Sequence, residues 1–214
     1  MKYSRRKFVQ LLPLGALLPT QLLSSITAST YRHPSLSSSD YLFKNIDKVY
    51  EEAIVFDGIV ITRNWDQDSD AALAKSGYTG FNASLDSGSL QRALKSLSEW
   101  HLRIKNNPDR FITATSADDF IQAKKEKKVA VMMGFQNSSM VENSLDNLDI
   151  LYQAGTRWIQ LTYNQRNLVG DGCTERTNAG LSDYGIALIE RMNELGIIVA
   201  LSLCARQTTN EGIQ

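Results

Sequence analysis

Apolar positions along the chain follow two alternating patterns. Short runs rich in apolar and β-branched residues occur at Ile54–Ile61, Phe81–Leu85, Val129–Phe135, Trp158–Thr162 and Ile197–Leu201. Runs of this length and composition predict buried strands of a parallel sheet. Between them, apolar residues return at helical spacing. Leu90, Leu94, Leu97, Trp100, His101 and Ile104 predict an amphipathic helix over 88–106 that ends near Asn107-Pro108. Val49–Ala53 reads as the end of a short helix, and Phe111–Thr115 as a short extended piece. Ser116 caps a further helix, with Asp118 and Asp119 in its first turn and Lys124–Lys128 at its end, the signs that suit the helix dipole. Leu145–Ala154 is helical up to Gly155, and a last helix runs from a cap at Ser182 to just before Gly196. Asn164–Asn178 is a long polar loop.

Strands alternating with helices predict an α/β fold, a parallel sheet covered by helices. A doubly wound sheet and a TIM-type (β/α) barrel both fit. No glycine-rich phosphate loop follows the first strand, which weighs against dinucleotide binding. In either fold the chemistry belongs at strand C-termini. These are Ile59 to Trp65, Asn82 to Asp86, Gln136 to Ser138, Thr162 to Asn164 and Ser202 to Arg206. Thr208 and Glu211 have capping-box spacing, as if a helix were about to start, yet the sequence stops at Gln214. A barrel needs eight strands and about five are legible, so the expectation is an incomplete barrel in a fragment or truncated product.

Charge changes the picture at the N-terminus. The 214-residue chain is 43% hydrophobic and 21% charged, with 23 basic and 23 acidic residues. Residues 1–30 contain Lys2, Arg5, Arg6 and Lys7 and no acid, so the rest carries a net charge of −4, which argues against a nucleic-acid partner. Ser4-Arg5-Arg6-Lys7-Phe8-Val9-Gln10 has the twin-arginine export pattern. The apolar run from Leu11 to Leu23 is too short and too broken, by Pro13, Gly15 and Pro19, to span a bilayer, and small residues around Ala28 suit cleavage. The expected organisation is an export signal over 1–30, a Ser-rich linker over 31–48 and a barrel domain over 49–214. The partner implied is the twin-arginine export machinery, and the compartment is the periplasm. The sequence specifies no oligomeric state.

Taken singly, few residues carry chemistry. Of the two histidines, His33 falls in the linker and His101 on a helix, where it reads as a packed or surface residue. Asp57 has the alternatives of an acid or base and of a buried carboxylate bonding a backbone turn. Cys204 follows a strand end with no neighbouring base, and Cys173 and Cys204 pair or stay as two thiols with equal ease. Asp171, Glu175 and Arg176 line a substrate mouth or a solvated loop face. Asp66, Asp68 and Asp70, after Trp65, lack the glycine and terminal glutamate of a calcium loop and read as surface.

From Val129 to Gln207 the order of motifs is specific. The pieces are Met133-Gly134-Phe135-Gln136-Asn137, then Leu148 through Ala154-Gly155-Thr156-Arg157-Trp158-Ile159-Gln160-Leu161-Thr162-Tyr163-Asn164, then Asn167, Gly180-Leu181-Ser182-Asp183-Tyr184-Gly185 and Met192-Asn193-Glu194-Leu195-Gly196. With a weaker extension back to Phe56-Asp57-Gly58, the chain resembles the membrane (renal) dipeptidase family. That resemblance implies a TIM-barrel hydrolase that uses two zinc ions to cleave dipeptides, including those with a D-residue second. It also implies that the first strand reads Asp-Gly-His-x-Asp, that a glutamate on the third strand bridges the metals, and that the fifth strand ends Asp-Leu-Ser-His. Those ligand positions hold Ile59, Ile61, Gln136 and Leu203. Tyr163, with Asn164, stands where the family has a substrate-contacting histidine. Aliphatic side chains donate no lone pair, and a neutral amide is a poor bridge between two divalent ions.

The resemblance therefore implies a zinc-dependent dipeptidase with its metal ligands substituted, acting on a small dipeptide-like substrate. No residue is assigned as catalytic. The alternative is a catalytically inactive exported protein of the same fold that binds peptides or other small molecules.

Overall fold

The computed structural model describes residues 46–214. The expected export signal and the expected linker as far as residue 45, His33 included, lie outside the described residues. Helix α1 (Ile46–Glu52) takes up the last positions expected to be linker and leads into β1 (Phe56–Ile61). The acidic cluster that follows is on the surface, as expected, with Asp66 and Asp68 exposed. It opens helix α2 (Gln67–Ser76): the Asp66 carboxylate accepts from Ser69 N at 2.9 Å, and Asp68 and Asp70 sit at the positive end of the dipole. Asp70 also accepts from Trp65 Nε1 at 2.9 Å and Arg110 Nη2 at 3.2 Å.

The remaining elements keep the predicted order. They are β2 (Gly80–Leu85), α3 (Leu90–Asn106), β3 (Phe111–Ala114), α4 (Ala117–Glu126), β4 (Val129–Phe135), α5 (Leu145–Gln153), β5 (Thr156–Gln160), α6 (Asp183–Leu195), β6 (Ile198–Ala200) and α7 (Arg206–Gly212). Ser89 and Ser182 cap α3 and α6 with their hydroxyls, while Gly77 and Gly196 end α2 and α6 in the left-handed conformation. Thr208 and Glu211 are not a capping box. Helix α7 has already begun at Arg206, and both side chains bond the long segment between β5 and α6, Thr208 at Asp171 and Glu211 at Leu181.

All strand pairs are parallel, and the path β1-β2-β4-β5-β6 is that of an incomplete TIM-type barrel. The short piece at Phe111–Ala114 is a strand off this path. Strand β2 holds one edge of β4 from Ala130 to Phe135. On the other edge β3 pairs with Val129–Met132 and β5 with Met133–Phe135. Strand β1 is an edge strand, so Phe56 and Ile61 are 42% and 55% exposed although a continuous apolar run suggested full burial.

Alternation sorts the side chains of β2 and β4 onto two faces. Phe81, Ala83 and Leu85 of β2 and Val131, Met133 and Phe135 of β4 face the helices. There they pack with Leu97 and Trp100 of α3, Leu148 and Leu151 of α5, and Leu188 and Met192 of α6. Trp65 stacks on Phe81 at 5.7 Å, and the Arg103 guanidinium lies 5.4 Å from the Trp100 ring centroid. The inner face carries smaller groups. At its N-terminal end Phe120 and Ala123 of α4 pack against Ala130 and Met132. Further along, Gly134 leaves room for its neighbours: a Cβ there would lie 2.5 Å from Asn82 Oδ1 and 2.9 Å from Trp158 O.

The Gly134→Ala substitution is therefore expected to destabilise the fold by about 1–3 kcal/mol through overpacking. A urea unfolding midpoint equal to wild type would show instead that Asn82 and Trp158 re-seat without cost.

Candidate functional site

The C-terminal ends of β1, β2, β4 and β5 meet around a cleft of about 230 Å³. Arg63, Ser84, Asp86, Gln136, Asn137 and Tyr163 line it. Its floor is a hydrogen-bonded row of uncharged groups. Thr62 Oγ1 donates to Ser84 O at 2.9 Å, and Ser84 Oγ donates to Gln136 Oε1 at 3.0 Å. Gln160 Nε2 donates to Gln136 O at 3.0 Å and to Thr162 O at 2.6 Å. The strands set this order, because Thr62 and Gln136 are the first residues beyond β1 and β4, Ser84 and Gln160 are the last inward-facing positions of β2 and β5, and Thr162 follows two places after β5.

The four positions where the resemblance places metal ligands do not supply a metal's donors. Ile59 and Ile61 are aliphatic, and Ile61 is 55% exposed. Leu203 sits in the loop after β6 at φ +61° and is 38% exposed. Gln136 offers one neutral oxygen, already engaged by Ser84. Among the described residues no three or more His, Cys, Asp or Glu side chains come together as a metal-binding group. The donors present among the described residues do not fit a two-zinc centre.

Tyr163 lines the cleft and is exposed. Asn164 stands beside it but serves the loop: its carbonyl accepts from Thr174 N at 2.9 Å and Thr174 Oγ1 at 2.6 Å. Asp57 Oδ1 accepts from Ile59 N at 3.0 Å, where the β1–β2 register shifts, and hydrogen bonding to the Asp57 carboxylate, followed by its charge, pushes the Tyr78 phenol upward. His101 holds Ala154 O at 2.8 Å, a structural tie between α3 and the turn after α5. Cys173 and Cys204 are free thiols. Cys173 Sγ lies 3.8 Å from Asn164 Oδ1 and Cys204 Sγ lies 3.3 Å from Thr162 Oγ1. Arg63 was within a strand-end span but not singled out. Its signal is a cation directly after a β-branched run, with no acid before Asp66.

The long loop after β5 is locked onto the site. Asn167 Nδ2 donates to Leu161 O at 2.7 Å and Asn137 Oδ1 at 2.8 Å, and so fixes one wall of the cleft. Asp171 lines no mouth and is not solvated; it is 1% exposed. Its carboxylate accepts from Arg166 Nε, from Ala179 N at 2.6 Å and from Thr177 Oγ1 at 3.1 Å. Thr208 Oγ1 donates to the Asp171 carbonyl at 3.0 Å, and Glu211 Oε2 accepts from Leu181 N at 2.6 Å. The hydrogen bond from Arg166 is the main influence holding the Asp171 carboxyl below its usual range, against a desolvation that would raise it.

A folded-state value below the unfolded one means that Asp171 stabilises the protein above about pH 4 and loses that contribution as pH falls through the lowered value. Asp171→Ala is expected to cost about 2–3 kcal/mol at pH 7, since it strips partners from a part-buried N–H, a hydroxyl and a guanidinium. Urea titrations from pH 7 down to pH 2 check this: the gap between wild type and variant must narrow below about pH 4. A constant gap would assign the effect to packing alone.

The profile of the membrane dipeptidase family (Peptidase family M19) matches residues 46–214. A dipeptidase of Schizosaccharomyces pombe is 34% identical over 113 residues, which are 50% of this chain and 27% of that protein. The crystal structure of an amidohydrolase from Pseudomonas aeruginosa superposes with a TM-score of 0.74 at 30% identity, over 78% of this chain and 51% of that one. A metallo peptidase from Rhodobacter sphaeroides, liganded with a phosphinate mimic of the dipeptide L-Ala-D-Ala, shares the fold at a TM-score of 0.62 and 15% identity, over 74% of this chain and 61% of that one. The chain thus spans less than two thirds of each. With the profile covering every described residue, the chain belongs to the membrane dipeptidase family.

Proposed function

We propose that this chain holds a dipeptide-like ligand at the C-terminal cleft of its barrel strands and does so without a two-zinc centre. The twin-arginine pattern at Arg5-Arg6 supports export to the periplasm as the setting. The observation that carries the reading is the engagement of Gln136. Where the family pattern calls for a bridging glutamate, a neutral amide is already held by Ser84, and the flanking ligand positions are Ile59, Ile61 and Leu203. A cleft of this kind offers hydrogen-bond donors and acceptors to a peptide unit through Ser84, Asn137 and Tyr163. The Rhodobacter sphaeroides relative, with its dipeptide mimic, supports the ligand class.

A second reading, hydrolysis with an altered or single-metal site, rests on the one oxygen that Gln136 can offer and on donors supplied from outside the described residues. Elemental analysis and titration calorimetry with L-Ala-D-Ala, before and after zinc incubation and chelation, separate the two. The expected result is no bound zinc, and dipeptide binding that a chelator leaves unchanged. About one zinc per chain with metal-dependent turnover would support the second reading. About two would overturn the argument from the donor set.

A further inference from the structure

The geometry points to Arg63 as the anchor of a carboxylate-binding subsite, so that the ligand of this cleft carries a free carboxylate. This inference rests on the reading of the cleft as a peptide site and names the group that it recognises. Arg63, Ser84, Leu85 and Asp86 are shared between the 230 Å³ cleft and an adjoining cleft of about 330 Å³ on the α3 side. The cations lining the two are Arg63, Arg92 and Lys95, and the acids are Asp86 and Glu99. Arg92 and Asp86 satisfy each other: Asp86 Oδ2 accepts from Arg92 Nε at 2.9 Å and from Nη2 at 2.6 Å, while Oδ1 accepts from Gly88 N at 2.9 Å. Lys95 pairs with Glu99 at 3.8 Å. Among the described residues this leaves Arg63 as the lining cation without a side-chain hydrogen bond or salt bridge.

Its surroundings select for an anion. On the inner side of Arg63 the wall is Ser84, Gln136, Asn137 and Tyr163, all uncharged. A glutamate at position 136 would repel a carboxylate; a glutamine does not. Ser84 and Gln136 already bond to each other, so the uncharged floor is preset and need not reorganise around a ligand. A guanidinium presents a planar fork that matches a carboxylate in two parallel hydrogen bonds, which no neighbouring group here can satisfy. Asp86 is too fully committed to Arg92 and Gly88 to serve as that partner.

The test is titration calorimetry at low salt on the folded chain with two matched pairs: L-Ala-L-Ala and its C-terminal amide, and N-acetyl-L-alanine and its amide. Wild type is expected to bind the carboxylates about tenfold or more tightly than the amides, with the preference shrinking as salt is added. Arg63→Gln is expected to abolish the preference, and Arg63→Lys, which keeps the charge but not the fork, to retain part of it. If both carboxylates bind equally well and lose affinity in Arg63→Gln, the anchor stands and the dipeptide reading falls. If dipeptide and amide bind alike, or Arg63→Gln keeps the preference, the anchor is overturned and the dipeptide reading stands. If no compound binds to a chain shown to be folded by circular dichroism, both are overturned.

Discussion

Strand β4 is bonded to three other strands at once, and the other features of the domain take their places around it. Strand β2 holds one edge, and β3 and β5 follow one another along the other. Both faces are covered, so every backbone group must find its partner in the sheet and nearly every side chain must be apolar or absent. Its sequence, Val129-Ala130-Val131-Met132-Met133-Gly134-Phe135, meets both demands. The odd-numbered side chains fill the space toward the helices. Among the even-numbered ones the side chain disappears at the C-terminal end, where Asn82 and Trp158 close over Gly134. Gln136 is the first residue past this seam, and its place in the cleft follows from the strand that delivers it.

The cleft owes its chemistry to neutrality. Thr62, Ser84, Gln136, Gln160 and Thr162 form a row in which polar groups satisfy one another, which a half-buried site requires if it carries no ion. Charges are confined to the rim, where Asp86 is held by Arg92. Desolvation raises the Asp86 carboxyl, but the Gly88 N–H and the Arg92 and Arg63 charges outweigh it, and its value is lowered overall. Metal chemistry of the family type asks for the reverse arrangement, anionic and imidazole donors converging on the floor. The residues of this chain are consistent with recognition by hydrogen bonds and one guanidinium.

The loop after β5 shows how a surface segment becomes part of the frame. Asp171 is buried because the loop folds over it, and its charge is tolerated because a guanidinium, a backbone N–H and a hydroxyl converge on it. Through Asn167 the same loop grips Asn137, and through Thr208 and Glu211 it is tied to α7. The wall of the cleft is therefore rigid on the side of β4 and β5. At the N-terminal end of the inner face, Ile54, Phe56, Ile121 and Ile198 line an open apolar groove of about 600 Å³ together with Phe120 and Met132.

The sequence by itself determined the order of strands and helices, because periodicity and serine and glycine caps are local signals. It also carried the expectation of substituted ligand positions at Ile59, Ile61, Gln136 and Leu203, because the motifs around them are contiguous. Helix α2 escaped the sequence because its weak apolar face and acidic start look like a loop until Asp66 is seen to cap it. The tertiary structure alone decided that β3 and β5 share an edge of β4, that Asp171 is interior while Tyr163 faces the cleft, and that Asp86 bonds Arg92 and leaves Arg63 without a direct side-chain partner among the described residues. Pairing, burial and charge balance depend on which strand ends meet in space, and residues tens of positions apart, such as Ser84 and Gln136, meet only once the sheet has closed around β4.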